Sequence, residues 1–261
     1  MISHASTATL VFCGVLATSA FGQTTSEHIH RGDSAFEALE PEIALEHYRA
    51  AHLSDPQHYE AIWKFARSQV DVAKMLIDDS TAERRDSLYG VAVAMAEGAT
   101  YFDSLDAEGH AILASAIGRL SRTKGGRERV RYGREIYDEA AWAIELDPNH
   151  DGAHHVIGAW HAEIMRLSGV AKFFAKTFMG GGFMEKASRD SAVAHLTRAT
   201  EIRPEYVFHH LELAEVFVEL ERYDEARQAL QVVLELPVSD VSDPMHKETA
   251  AALLEEIQDR S

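Results

Sequence analysis

Small and apolar residues recur along the chain at spacings of four and then three, and each run is closed by an acid, a proline or both. The runs are Ala44–Tyr48–Ala51 before Asp55-Pro56, Ala92–Ala96–Ala99 before Asp103, and Ile136–Ala140–Ala143 before Asp147-Pro148. Two more follow: Ala192–Leu196–Ala199 before Arg203-Pro204, and Ala226–Leu230–Val233 before Pro237. That spacing puts the residues on one face of a helix, where alanine lets a neighbouring helix come close. Proline lacks an amide donor and restricts the residue before it, so each run ends there. A second helix start follows the stops, as in Tyr59–Ala66, Ala153–Trp160 and Val207–Ala214. In these, a small residue (Ala66, Gly158, Ala214) follows a large apolar one (Phe65, Ile157, Leu213). The pattern predicts five helix pairs starting near His28 and a capping helix from about Pro244 to Asp259. Period-two alternation that would mark strands is absent.

The spacing of the small positions is uneven. Ala214 to Ala226 is 12 positions, but Ala66 to Ala92 is 26, Gly118 to Ile136 is 18 and Gly158 to Ala192 is 34. The extra residues, near 67–91, 119–134 and 164–187, fall inside pairs, so a stacked array should gather them along one edge. The motif resembles the tetratricopeptide repeat, a helix-turn-helix unit of about 34 residues. The resemblance implies an all-α, right-handed solenoid with a concave face.

Charge sharpens the picture. The 261 residues carry 25 Lys+Arg against 42 Asp+Glu, a formal net charge of −17, which argues against nucleic acid as a partner. Yet residues 119–134 hold seven basic residues and one acid, and residues 164–184 hold three basic residues and no acid. The rest of the chain therefore carries −26, and the two insertions +9. Within the second, Val170, Phe173, Phe174 and Phe178 share a helical face, with Lys172 and Lys176 on the other side. Gly180-Gly181-Gly182 then breaks the helix. An aromatic stripe at helical spacing ordinarily packs as core. The competing reading is an element that meets an anionic amphiphile, and both hold if the helix roofs a pocket. The candidate ligand-binding residues are Arg119, Arg122, Lys124, Arg127, Arg129, Arg131, Lys172, Phe173, Phe174, Lys176, Phe178, Phe183 and Met184.

Before Glu27 there is no charged side chain, and Leu10–Ala17 is an apolar centre followed by Ala20-Phe21-Gly22. This is the layout of a secretory signal peptide, residues 1–22, with the repeat domain over 23–261 and a periplasmic or secreted destination. Phe12 before Cys13 speaks against lipidation, and cleavage after Gly22 would leave no cysteine.

A narrower resemblance covers about residues 110–255. Its features are Asp147-Pro148-Asn149, Ala153-His154-His155-Val156-Ile157-Gly158, Phe178 with Gly180-Gly181-Gly182, Tyr206–Leu213, and Leu236-Pro237 with Asp243-Pro244 and His246-Lys247. Together they resemble the regulator of microtubule dynamics family and its bacterial relatives. The resemblance implies an all-helical domain with the long insertion in the fourth pair. Eukaryotic relatives are linked to microtubules, organelle membrane contacts and lipid binding; of these, lipid binding suits an exported protein. The family's prolines after the insertion glycine are replaced by Gly181 and Gly182, which implies a looser loop.

The 15 histidines raise a metal reading. His150 and His154 are four apart, His154 and His161 seven, and His209 and Glu212 three. His154, His161 and His210 nevertheless fall on repeat packing positions, so no metal or other cofactor is assigned. Phosphate loops, nucleophile elbows and His-Glu-x-x-His patterns are absent, so the reading is non-enzymatic. The expected function is binding of a phospholipid or similar amphiphile at the insertion edge or concave groove, with room for peripheral membrane contact. The alternative is a protein- or peptide-binding adaptor that uses the concave face.

Overall fold

The computed structural model describes residues 24–260. The leader assigned to residues 1–22, with Cys13, lies outside them. The helices pair in sequence: α1 (Thr25–Glu37) with α2 (Pro41–Ser54), α3 (Tyr59–Lys74) with α4 (Ala82–Phe102), and α5 (Ala107–Ser121) with α6 (Gly126–Leu146). In the fourth pair α7 (Asp151–Arg166) meets α9 (Arg189–Ile202), with α8 (Gly169–Phe178) and a short tight helical segment (Gly181–Lys186) inserted between them. The fifth pair is α10 (Val207–Glu219) and α11 (Tyr223–Glu235), and α12 (Asp243–Glu256) caps the stack. The described residues form an all-helical solenoid.

Local chemistry sets the boundaries. Thr24 and Glu27 form a reciprocal capping box at the start of α1. His58 and His150, each two residues after an Asp-Pro stop, turn a ring nitrogen onto the amide three residues ahead and so cap α3 and α7. The pairs without inserted residues share a tight turn in which Leu39 and Glu221 adopt φ of 59°.

The extra residues of the second and third pairs are helix rather than loop. The helices α4 and α6 each run 21 residues against 13 in α11, which leaves turns only at residues 75–81 and 122–125. Gly125 supplies the extended N-cap that restarts the chain as α6. The small position of the third pair is Ala114, not Gly118. Ala114 is fully buried against Ala140 and Ile157, whereas a Cβ on Gly118 would meet nothing within 4 Å.

The buried face of each helix is the small-residue face that the repeat defines. Tyr48, Ala51, Ala96, Ala99, Ala140, Ala143, Leu196, Ala199, Leu230 and Val233 are all inaccessible to solvent. Gly158 allows the close approach of α7 to α9 on Leu196, as Gly32 does that of α1 to Tyr48 of α2. The first helices of successive pairs, α3, α5, α7 and α10, also touch one another and form the inner wall. The stack then turns back on itself. The loop after α11 reaches α3, where Lys74 pairs with Asp240 at 3.2 Å across 166 positions of sequence.

Candidate functional site

That closure converts the concave face into an interior groove of about 730 Å³, within the size range of ligand-binding clefts. Its inner wall comes from α3, α5, α7 and α10, its far side from the loop at Ser239 and Asp240, and its mouth from the starts of α6 and α8.

The lining has two halves. One is polar. Lys74 is buried between Asp71 at 3.0 Å and Asp240, and Tyr206 donates to Asp240 at 3.3 Å. Burial alone would lower the Lys74 ammonium, but Asp71, Tyr206 and Asp240 outweigh it and hold it charged. Burial likewise opposes ionisation of Asp240, but Lys74 and the hydrogen bonds from Ser242 win and hold its carboxyl well below the usual range. Arg67 Nε and Asp71 Oδ2 are buried on this wall with no hydrogen-bond partner.

Next to them is a pair of histidines. His155 and His209 lie Nδ1 to Nδ1 at 3.0 Å, and His209 Nε2 is 2.9 Å from the Asp151 carboxylate. With His209 donating to Asp151, its Nδ1 accepts from His155, so two neutral rings satisfy the set. Burial, then His209 and Arg119, push His155 well below its ordinary value. Glu212 completes this half. Burial pushes it up, against Arg166 at 3.8 Å.

The other half, at the mouth, is apolar: Val130, Trp160, Ile164, Leu167, Ala175 and Met184. Trp160 is fixed by donation to the Gly133 carbonyl at 2.6 Å.

The thirteen sequence candidates divide among four places. Arg119, Arg122, Arg129, Phe174 and Met184 line the groove, Arg119 over the Phe208 ring at 5.5 Å. Lys124, Arg127 and Arg131 stand outside it, on the turn and first helical turns of α6, with Arg131 towards Glu135. Phe183 packs as core against Trp160 and Gly133, beneath Arg134. Lys172 and Lys176 lie on α8, the latter paired with Glu185.

The expectation that the α8 stripe packs as core is corrected here. Phe173 is 61% and Phe178 62% exposed, Val170 and Phe174 are also open, and only Ala175 of this helix is buried. The physical reason is that α8 meets the solenoid at α6, where Met179 lies by Gly126, and its Ala175 is covered by the following Gly181, so Phe173 and Phe178 have no wall to meet.

The histidine expectation is refined as well. His154 and His161 are packing residues, both against His195, whereas in α10 the inward ring is His209 and not His210. Among the described residues no group of three His, Cys, Asp or Glu side chains is placed to hold a metal. The sequence reading missed Arg67, Asp71, Lys74, Tyr206 and Asp240. For Arg67, Asp71 and Lys74 the one signal is charge at positions that helical spacing assigns to the inner wall, while Tyr206 and Asp240 lie outside the helices.

These features define the class: a tetratricopeptide-type solenoid closed around a binding groove. Solved structures agree on the fold. The tetratricopeptide protein TTC0263 of Thermus thermophilus superposes with a TM-score of 0.64 at 20% identity, over 87% of this chain and 99% of its own. The pilF protein of Pseudomonas aeruginosa gives 0.52 at 14% identity, over 91% and 93%. A family model described as "Regulator of microtubule dynamics protein 1-3" matches residues 28–258, and the chain belongs to that family. Regulator of microtubule dynamics protein 3 of Bos taurus is 25% identical over 180 residues, which cover 67% of this chain and 36% of that protein. The Rattus norvegicus protein matches at 25% over 177 residues. The chain thus spans about a third of the length of the curated relatives it matches.

Proposed function

We propose that this protein is a non-enzymatic scaffold that holds an extended segment of a partner protein in its interior groove. The lining carries this reading, because both signs of charge and an apolar half face one enclosed space. An extended polypeptide brings donors and acceptors in alternation, which suit a wall that carries Arg67, Ser115, Arg122 and Glu163. Its apolar side chains fill the half around Trp160 and Ile164. An acyl chain laid on the polar wall would take Lys74, Asp240 and Glu212 out of water and return no hydrogen bonds.

A second reading has its own observation. The apolar mouth is edged by Arg119, Arg122 and Arg129, which suits the headgroup and tail of a phospholipid or similar anionic amphiphile. The leader-like residues 1–22 support a further proposal, that the scaffold works after export, in the periplasm or outside the cell.

A displayed library of random peptides panned on the full chain tests the first reading. The expected result is enrichment of sequences mixing apolar and acidic residues, lost in Ser115→Trp, which fills the groove wall. The reading is overturned if no peptide is retained and native mass spectrometry instead finds a phospholipid that the same variant excludes.

A further inference from the structure

We propose that α8 is a docking element for an anionic lipid surface. The surface in question is the outer side of this helix, whatever fills the groove beneath it.

Four observations converge. First, α8 presents Val170, Phe173 and Phe178 outward on a convex ridge, with Phe174 against Phe178 at a ring separation of 5.7 Å. A convex ridge of aromatics inserts into a soft phase more readily than it fills a pocket. Second, no carboxylate occurs from Ile164 to Met184, in a chain of net charge −17.

Third, four cations on and beside α8 are not neutralised by acids, while Lys176 pairs with Glu185. No carboxylate of the described residues lies within ion-pair distance of Lys172, Lys124, Arg127 or Arg129, whereas Lys64, Lys74, Arg166, Arg203, Arg222 and Arg227 each sit on one. The basic turn before α6 adjoins the end of α8, because a Cβ on Gly126 would stand 3.7 Å from Met179 Cε. Fourth, the unpaired cations of the turn before α6 adjoin the end of α8, so their charged groups can stay at headgroup level while the rings go deeper. Aromatic rings beside unpaired cations complement anionic headgroups. A protein surface of mixed charge would leave these cations without matched partners.

The test is flotation of the full chain with vesicles of phosphatidylcholine alone or mixed with phosphatidylglycerol. A Phe173→Trp variant reports insertion through the blue shift of its emission and its quenching by brominated lipid. Expected are binding to the anionic vesicles that weakens as salt is raised, and a loss of about tenfold or more for each of Phe173→Asp and Phe178→Asp. Arg127→Glu should weaken binding to anionic vesicles without altering the fold, since its side chain is exposed and makes no ion pair. The proposal is overturned by absence of vesicle binding at low salt, or by binding that both aspartate variants retain. It is equally overturned if sedimentation shows a dimer that Phe173→Asp separates, because a second copy would then cover the stripe. Peptide retention measured without vesicles stays unchanged in Phe173→Asp, so failure here and failure of the groove reading are told apart.

Discussion

Gly158→Ala isolates the contact on which the fourth helix pair depends. A Cβ at this position would stand 2.6 Å from Leu196 Cγ, 3.0 Å from Cδ2 and 3.1 Å from the Leu196 backbone nitrogen. Ordinary carbon contacts begin at about 3.5 Å. Leu196 is fully buried and cannot swing away, and the backbone nitrogen moves only if α9 moves. Overpacking of this kind costs roughly 1–3 kcal/mol. Replacing a mid-helix glycine by alanine returns about 1 kcal/mol of helix propensity. The net expectation is a loss of up to about 2 kcal/mol, read as a fall of several degrees in Tm by circular dichroism. Gly118→Ala is the control, since it gains the same propensity and its Cβ meets nothing; it should raise Tm by about 2–4 °C. If Gly158→Ala raises Tm as Gly118→Ala does, the close approach of α7 and α9 is wrong.

Lys74→Met leaves Asp71 and Asp240 facing each other in a buried site, at an expected cost of about 3–5 kcal/mol. Limited proteolysis should then open the loop around Asp240; a loss of stability below about 1 kcal/mol would show that the closure is not held there. Acid should act through the histidines. Burial, then His154 and His161, push His195 down to about 4, while the unfolded value is near 6.5. A depressed base favours the folded state fully above the unfolded value, and that contribution fades as pH falls from 6.5 towards 4. Partial exposure limits it to about 1–2 kcal/mol. Glu215, pushed up to about 7 by burial and by Glu212, works in the opposite direction, so the readout is a difference. Stability of His195→Asn relative to the wild type should improve as pH drops through this window, and a parallel pH profile would refute the assignment.

The repeat was legible because each helix pair is local. Four-three spacing, an Asp-Pro stop and a small residue opposite a large one act within some thirty residues, so pairs and cap follow from pattern alone. Pattern could not say whether extra residues form loop or helix. Residues 82–91 and 127–135 hold no proline and a single glycine each, Gly90 and Gly133, and the turns are marked only by the Gly125-Gly126 step and the polar stretch at 78–81. The register of the third pair slipped by one helical turn for the same reason. Ala114 and Gly118 are both small and four apart, and only the contact with Ile157 separates them.

The groove is a different kind of object. Its polar half exists because Lys74 meets Asp240 across most of the chain, and no periodicity reports a contact between the second pair and the loop after the fifth. The charge pattern held part of the answer: the basic insertions do converge, through Gly126 on Met179, at the mouth of the cavity. What it could not supply was which side of α8 faces the protein. The rule that aromatic stripes bury themselves assumes a wall within reach, and here the chain after Met179 folds back so that Gly181 covers Ala175 and leaves Phe173 and Phe178 open. An apolar stripe that evades this rule costs solubility wherever nothing covers it. Its position beside unpaired cations at the groove mouth ties binding at α8 to access at the groove. A surface that covers Phe173 and Phe178 also lies next to Phe174, which lines the groove.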